Sequence, residues 1–98
     1  MKESEIENLL VWHVEKLGGK AYKFTSPSNR GVSDRVVCMP DGSTYFIELK
    51  RPKGGHLSPL QQIFMGEMRM LNQKYACLWT EEQVNEWAET QRVPGRSG

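Results

Sequence analysis

The chain has no apolar stretch approaching the roughly 20 residues that a membrane helix needs, and its opening residues, Met1-Lys2-Glu3-Ser4-Glu5, have no apolar signal core behind their charges. A cytoplasmic protein, retained whole and with no membrane partner, is the expectation. Cysteine is scarce. Cys38 and Cys77 are the only two, and no CxxC pair exists, which argues against a thiolate zinc site. Both fall in strand-like apolar runs, so both are expected as free, buried thiols. A dominant charge sign is missing too: the formal net charge is +1. Internal repeats and low-complexity tracts are absent. What remains is 98 residues, 38% hydrophobic and 26% charged, enough for one soluble domain with a modest core. That domain is expected over residues 1–92, with 93–98 as a loose C-terminal tail.

Periodicity supplies the elements. Residues 4–17 read as a helix, with Ile6, Leu10, Val14 and Leu17 at helical spacing, Ser4 as its cap and Glu7 three residues on as a capping-box partner. Gly18-Gly19 ends it. Residues 20–25 alternate as a strand, and 26–33 are a loop by composition. Residues 34–39 and 44–50 are two strands joined by Pro40-Asp41-Gly42, where Pro opens a type I turn and Gly takes the left-handed position. A basic, glycine-containing loop covers 51–58. A second helix follows at 59–73, capped by Ser58, with Leu60, Phe64, Met68 and Leu71 as its apolar face. Residues 75–79 are a buried strand, and 81–90 a last helix capped by Thr80. The order α-β-β-β-α-β-α predicts an α/β domain with a central mixed sheet flanked by helices.

The hairpin gathers the chemistry. A three-residue loop places Met39 opposite Ser43, and counting back in step puts Asp34 opposite Glu48, with side chains about 5 Å apart. Lys50 lies two residues beyond Glu48 and shares its face. Two opposed carboxylates repel unless something compensates. A divalent cation does so, and Mg²⁺ commonly takes one or two carboxylates, completing its shell with waters and phosphates. The backbone carbonyl of Leu49 is a further candidate ligand. The competing reading is a solvated charged face. Against it, Phe46-Ile47-Glu48-Leu49-Lys50 is a hydrophobic strand with its charges at one end, and Gly31-Val32-Ser33 delivers Asp34 from a loop.

Three motifs then stand in order: Gly31-Val32-Ser33-Asp34-Arg35-Val36-Val37, Phe46-Ile47-Glu48-Leu49-Lys50 and Leu57-Ser58-Pro59-Leu60-Gln61. Together they resemble the VRR-NUC family of the PD-(D/E)XK nuclease superfamily, in particular its short stand-alone bacterial and phage-encoded members. The resemblance implies a restriction-endonuclease-like fold and Mg²⁺- or Mn²⁺-dependent hydrolysis of phosphodiester bonds. It implies Asp34 and Glu48 as metal-binding acids, Lys50 as the catalytic lysine and Gln61 as a site glutamine. It also implies a metal-site glutamate on the first helix, for which Glu7 and Glu3 are candidates. Glu7 is preferred because its distance to Gly18 resembles that in archaeal junction resolvases, although a capping role would compete with it. Ser33 stands where the family usually has proline, a change that removes no ligand.

Lys23, Ser26, Arg30, Arg35, Arg51, Lys53 and His56 flank this constellation and are candidate phosphate contacts. Gly54-Gly55 would let their loop approach a nucleic-acid backbone. No base-reading helix is evident, so a structure-selective DNA endonuclease is expected, acting on branched DNA in a bacterial cell or phage-infected host. Resolution of four-way (Holliday) junctions would require a homodimer. Cleavage of flaps, nicks or free ends, or a non-catalytic DNA-binding module, are the alternatives. His13 reads as a packing or surface residue, and Trp12, Trp79 and Trp87 as core or interface residues rather than base-stacking platforms.

Overall fold

A computed structural model describes residues 1–92; the expected tail at 93–98 lies outside the described residues. The elements are α1 (Glu3–Lys16), β1 (Lys20–Lys23), β2 (Arg35–Cys38), β3 (Thr44–Leu49), α2 (Pro59–Met70), β4 (Lys74–Leu78) and α3 (Glu81–Thr90). The strands form one mixed sheet in the order β1-β2-β3-β4. β1-β2 and β2-β3 pair antiparallel, and β3-β4 pair parallel. A parallel pair needs a crossover, and α2 supplies it.

Residue parity assigns the two faces of the sheet. Val37, Ile47, Leu49 and Leu78 meet Ile6, Leu10, Val14, Val84 and Trp87 in the main core, so α1 and α3 cover one face. Phe46 and Tyr75 meet Phe64 of α2 on the other. No described helix is long and apolar enough to cross a membrane.

The helix ends explain three departures from expectation. α1 starts one residue early, because the Glu5 carboxylate accepts a 2.6 Å hydrogen bond from the Lys2 N–H. Ser4 is therefore not the cap, and Glu7 is free of capping duty. The other end closes as foreseen: Gly18 has φ +87°, and the Gly19 and Gly18 N–H groups donate to the Val14 and Glu15 carbonyls, a Schellman closure. α2 stops at Met70 rather than at residue 73, because Asn72 takes φ 58° and closes the same motif through Gln73 N–H to Met68 O.

α2 is also rotated relative to its expected face. Phe64 is buried, whereas Leu60, Ile63, Met70 and Leu71 stay exposed. This short crossover packs over β4 and leaves the far end of β2 uncovered. Cys38 lies there on the same face and is exposed, while Cys77 is partly buried; both are free.

The loop between β1 and β2 is seated by a glycine. The Asn29 side chain accepts from Gly31 N–H at 3.0 Å, and Gly31 presses against the Leu60 backbone so closely that a Cβ would fall on the Leu60 carbonyl. Neither backbone can give without moving α2 or the loop. Gly31→Ala is therefore expected to cost about 1–3 kcal/mol in urea unfolding. An unchanged midpoint would show that the loop is not docked as described.

Candidate active site

The hairpin register matches the count from its turn. Arg35 pairs with Ile47 and Cys38 with Thr44, and Met39 N–H donates to Ser43 O at 2.8 Å. Gly42, at φ +90°, and the Asp41 side chain, which accepts from Ser43 N–H, shape the turn. One step beyond the last pair, Asp34 reaches the end of β3. Its Oδ2 accepts from Leu49 N–H at 2.8 Å, so a side chain completes the ladder where the backbone of β2 leaves it. The Leu49 side chain turns into the main core.

Glu48 is the unusual residue. Only 1% of it is exposed. Its Oε2 accepts from Gln61 Nε2 at 2.9 Å and lies 3.4 Å from Lys50 Nζ. Its Oε1 is buried without a donor. Burial, and then the negative charge of Asp34, push its pKa up to about 7, while Lys50 pulls the other way. Cys77, opposite Glu48 in the register, has its pKa pushed up to about 11 by burial and by the Glu48 charge. It remains a thiol rather than a nucleophilic thiolate.

Gln61 is aimed by the helix it begins. Ser58 caps α2: Gln61 N–H donates to Ser58 Oγ at 3.2 Å, and Ser58 N–H donates to Gln61 Oε1 at 2.9 Å. This capping box fixes the amide oxygen on the cap, so Nε2 is left to face Glu48. The same glutamine starts the helix and orients the buried acid.

No family model matches the sequence. A 52-residue stretch, 53% of this chain and 56% of the relative, is 52% identical to "Putative nuclease p44" of Acyrthosiphon pisum secondary endosymbiont phage 1. The match thus spans little more than half of either protein. A solved VRR_NUC domain superposes with a TM-score of 0.85 at 24% identity, covering 91% of this chain and 96% of that one. The chain has the VRR_NUC fold. The expected architecture, a mixed sheet flanked by helices in the order α-β-β-β-α-β-α, is the one found.

Within this VRR_NUC fold, Asp34, Glu48, Lys50 and Gln61 come together on the α2 side of the sheet. Glu7 does not join them. It faces the opposite side, where its Oε2 lies 2.7 Å from Arg35 Nε and 3.5 Å from Lys23 Nζ. Arg35 also donates to the Ala21 carbonyl. Arg35 is thereby the internal counter-ion of Glu7 rather than an open phosphate contact, because parity turns it away from its neighbour Asp34. Glu3 lies exposed in the first turn of α1. Among the described residues no cluster of three or more His, Cys, Asp or Glu forms.

The remaining candidates divide by location. Arg51, Lys53 and His56 are exposed on the loop after β3. Gly54-Gly55 folds that loop back over Arg51, since a Cβ on Gly55 would meet the Arg51 backbone; the glycines serve the chain's own turn. Ser26 and Arg30 line a cleft of about 320 Å³ that also touches Phe24, Asn29, Asp34 and Gln61. Neither loop composition nor periodicity signals this cleft, because docking of Gly31 on α2 creates it. The packing reading holds for Trp87, which is buried, and for His13, whose Nε2 lies 2.8 Å from Asn85 Oδ1. Trp12 is exposed, with Lys16 over its ring.

Proposed function

We propose that the protein is a metal-dependent, structure-selective DNA endonuclease that hydrolyses phosphodiester bonds. One observation carries the reading: a buried glutamate with an orphaned oxygen stands beside a second carboxylate, with a lysine and a glutamine on its other oxygen. As plain structure this is costly, because a buried carboxyl lacking a donor and facing a like charge destabilises the fold. The donor set fits a hard divalent cation. Two carboxylates, with the Leu49 carbonyl as a third candidate, match what Mg²⁺ or Mn²⁺ takes from proteins, and phosphate oxygens and waters complete the shell. Bound there, the ion would polarise the scissile phosphate and lower the pKa of a water.

The protein's own groups do the rest. Asp34 and Glu48 would hold the ion. Gln61 keeps the Glu48 carboxylate oriented. Lys50 offers its charge to the phosphate as negative charge builds. Exposed Arg51, Lys53 and His56 are available to flanking phosphates. Glu7, paired with Arg35 and Lys23 on the opposite face, would stay outside this ligand set.

Four-way junctions are the preferred substrate in this reading, and a homodimer the working form. Support for the dimer comes from Leu60, Ile63, Met70 and Leu71. Leu60 and Ile63 lie at the start of α2 and Met70 and Leu71 at its end, on one side of the helix with Glu67 between the two pairs, and they are 49%, 58%, 85% and 63% exposed. A second copy would cover an apolar surface of that kind.

The test is cleavage of labelled four-way junction, flap, nicked and linear duplex DNA with Mg²⁺, Mn²⁺ or EDTA, alongside sedimentation. Paired, metal-dependent cuts in the junction and a dimer are expected. Cutting of flaps or ends alone by a monomer would replace the junction reading. Binding with no cleavage under either metal would leave a DNA-binding module.

A further inference from the structure

The cleft beside Asp34 offers a physical basis for the structure selectivity proposed above. Its floor is rigid. Phe24 is braced by ring contacts with Phe46 and Phe64 at 6.0 and 6.3 Å. Its rim is fixed as well. Asn29 N–H donates to Ser26 O, the Asn29 side chain accepts from Gly31 N–H, and Gly31 is pressed onto α2. Arg30 stands on that rim, exposed and with no hydrogen-bond or ionic partner among the described residues. A braced aromatic ring, a free guanidinium and a carboxylate of the proposed site thus border one space of about 320 Å³.

We infer that this cleft receives a single unpaired nucleotide of the DNA substrate, next to the scissile phosphate, with its base against Phe24 and its phosphate on Arg30. The inference rests on the nuclease reading for the position of the cut. The volume lies at the lower end of ligand-sized clefts, which suits one nucleotide. An aromatic face accepts any base, and a guanidinium suits a phosphate. Entry requires the base to leave its stack, at a cost that is least where it is already unpaired. Flaps carry such nucleotides already unpaired, and the pairs that border a branch point or a nick open at lower cost than those inside intact duplex. The cleft therefore selects for DNA structure without reading sequence.

The test uses the full chain in EDTA, so that binding is separated from chemistry. 2-Aminopurine is placed singly at successive positions around the branch of a four-way junction, and its fluorescence is followed as protein is added. A change of severalfold confined to a position beside the branch is expected. Arg30→Ala should abolish it and weaken junction binding about tenfold, with Arg30→Lys intermediate; the exposed, partnerless side chain leaves the fold intact. Phe24→Leu, which preserves an apolar floor, should reduce the fluorescence change more than the affinity.

Cleaved DNA with no position-specific change overturns the inference and leaves the nuclease standing. So does an Arg30→Ala defect equal on junction and intact duplex, which marks Arg30 as a general phosphate contact. An equal response from free 2-aminopurine nucleotide makes the cleft a mononucleotide site and overturns it too. A position-specific change with no cleavage under any metal supports the cleft and removes the nuclease reading.

Discussion

Replacing Lys50 by alanine is expected to lower cleavage by about 10²–10³-fold, the usual loss when one group that stabilises transition-state charge is removed. The side chain is held close to the reacting centre: Nζ lies 3.4 Å from Glu48 Oε2, and the side chain is only 13% exposed. The same ammonium offsets the charge of the buried Glu48, so urea unfolding should show some destabilisation, and activity is compared on protein that remains folded. Lys50 also pulls the Glu48 pKa down, and its loss should weaken metal binding. The assay therefore needs a metal titration. If saturating Mg²⁺ or Mn²⁺ restores full activity, Lys50 acts through the ion site and not on the phosphate. If kcat survives and only KM rises, it anchors the substrate equally in ground and transition states. Lys50→Arg keeps the charge but spreads it over a planar fork, so it should remain well below the parent.

Asp34 and Glu48 could be paired on paper because a hairpin register follows from its turn. Pro40-Asp41-Gly42 determines a three-residue loop, the loop determines Met39 opposite Ser43, and arithmetic does the rest. The pairs Cys38–Thr44 and Arg35–Ile47 obey that count. The same parity also turns Arg35 away from Asp34. Alternation alone thus separates Arg35 from the carboxylate pair, although Arg35 and Asp34 are neighbours in sequence.

Glu7 illustrates a different limit. Its helical position predicts correctly that it points at the sheet, but periodicity does not say which face of the sheet α1 covers. That is decided by the α2 crossover, which takes the opposite face, and Glu7 consequently meets Arg35 and Lys23. Helix ends were legible where glycine marks them, as at Gly18, and less so where Asn72 takes the left-handed role. Nothing local marks Gly31 as a contact glycine, because its partner, Leu60, lies 29 positions away in the sequence. The cleft that depends on this contact was invisible for the same reason.

The buried acid makes the fold and the proposed function compete, and Glu48→Gln exposes the competition. In metal-free protein the Glu48 pKa rises from 4.5 to about 7 on folding. The folded state thus binds more protons than the unfolded state between these values. The stabilising effect of the protonated form is complete below about pH 4.5 and is lost as pH rises through about 7. The loss amounts to about 3 kcal/mol at pH 8, taking roughly 1.4 kcal/mol per pKa unit. Glutamine has the same shape and no charge. Its oxygen can keep the bonds from Gln61 and Lys50, and its amide can donate from the Oε1 position, next to the Asp34 acceptor. Glu48→Gln should therefore be more stable than the parent by about 3 kcal/mol near pH 8 in EDTA, nearly equal to it near pH 4.5, and inactive throughout. Millimolar Mg²⁺ should reverse the order near pH 8, since an ion that binds only the folded parent stabilises it by mass action. Urea unfolding of both proteins across this pH range, with and without Mg²⁺, decides the matter. A parent whose stability does not fall between about pH 4.5 and pH 8 in EDTA would show that Glu48 ionises without strain, and the case for a cation between Asp34 and Glu48 would lose its physical basis.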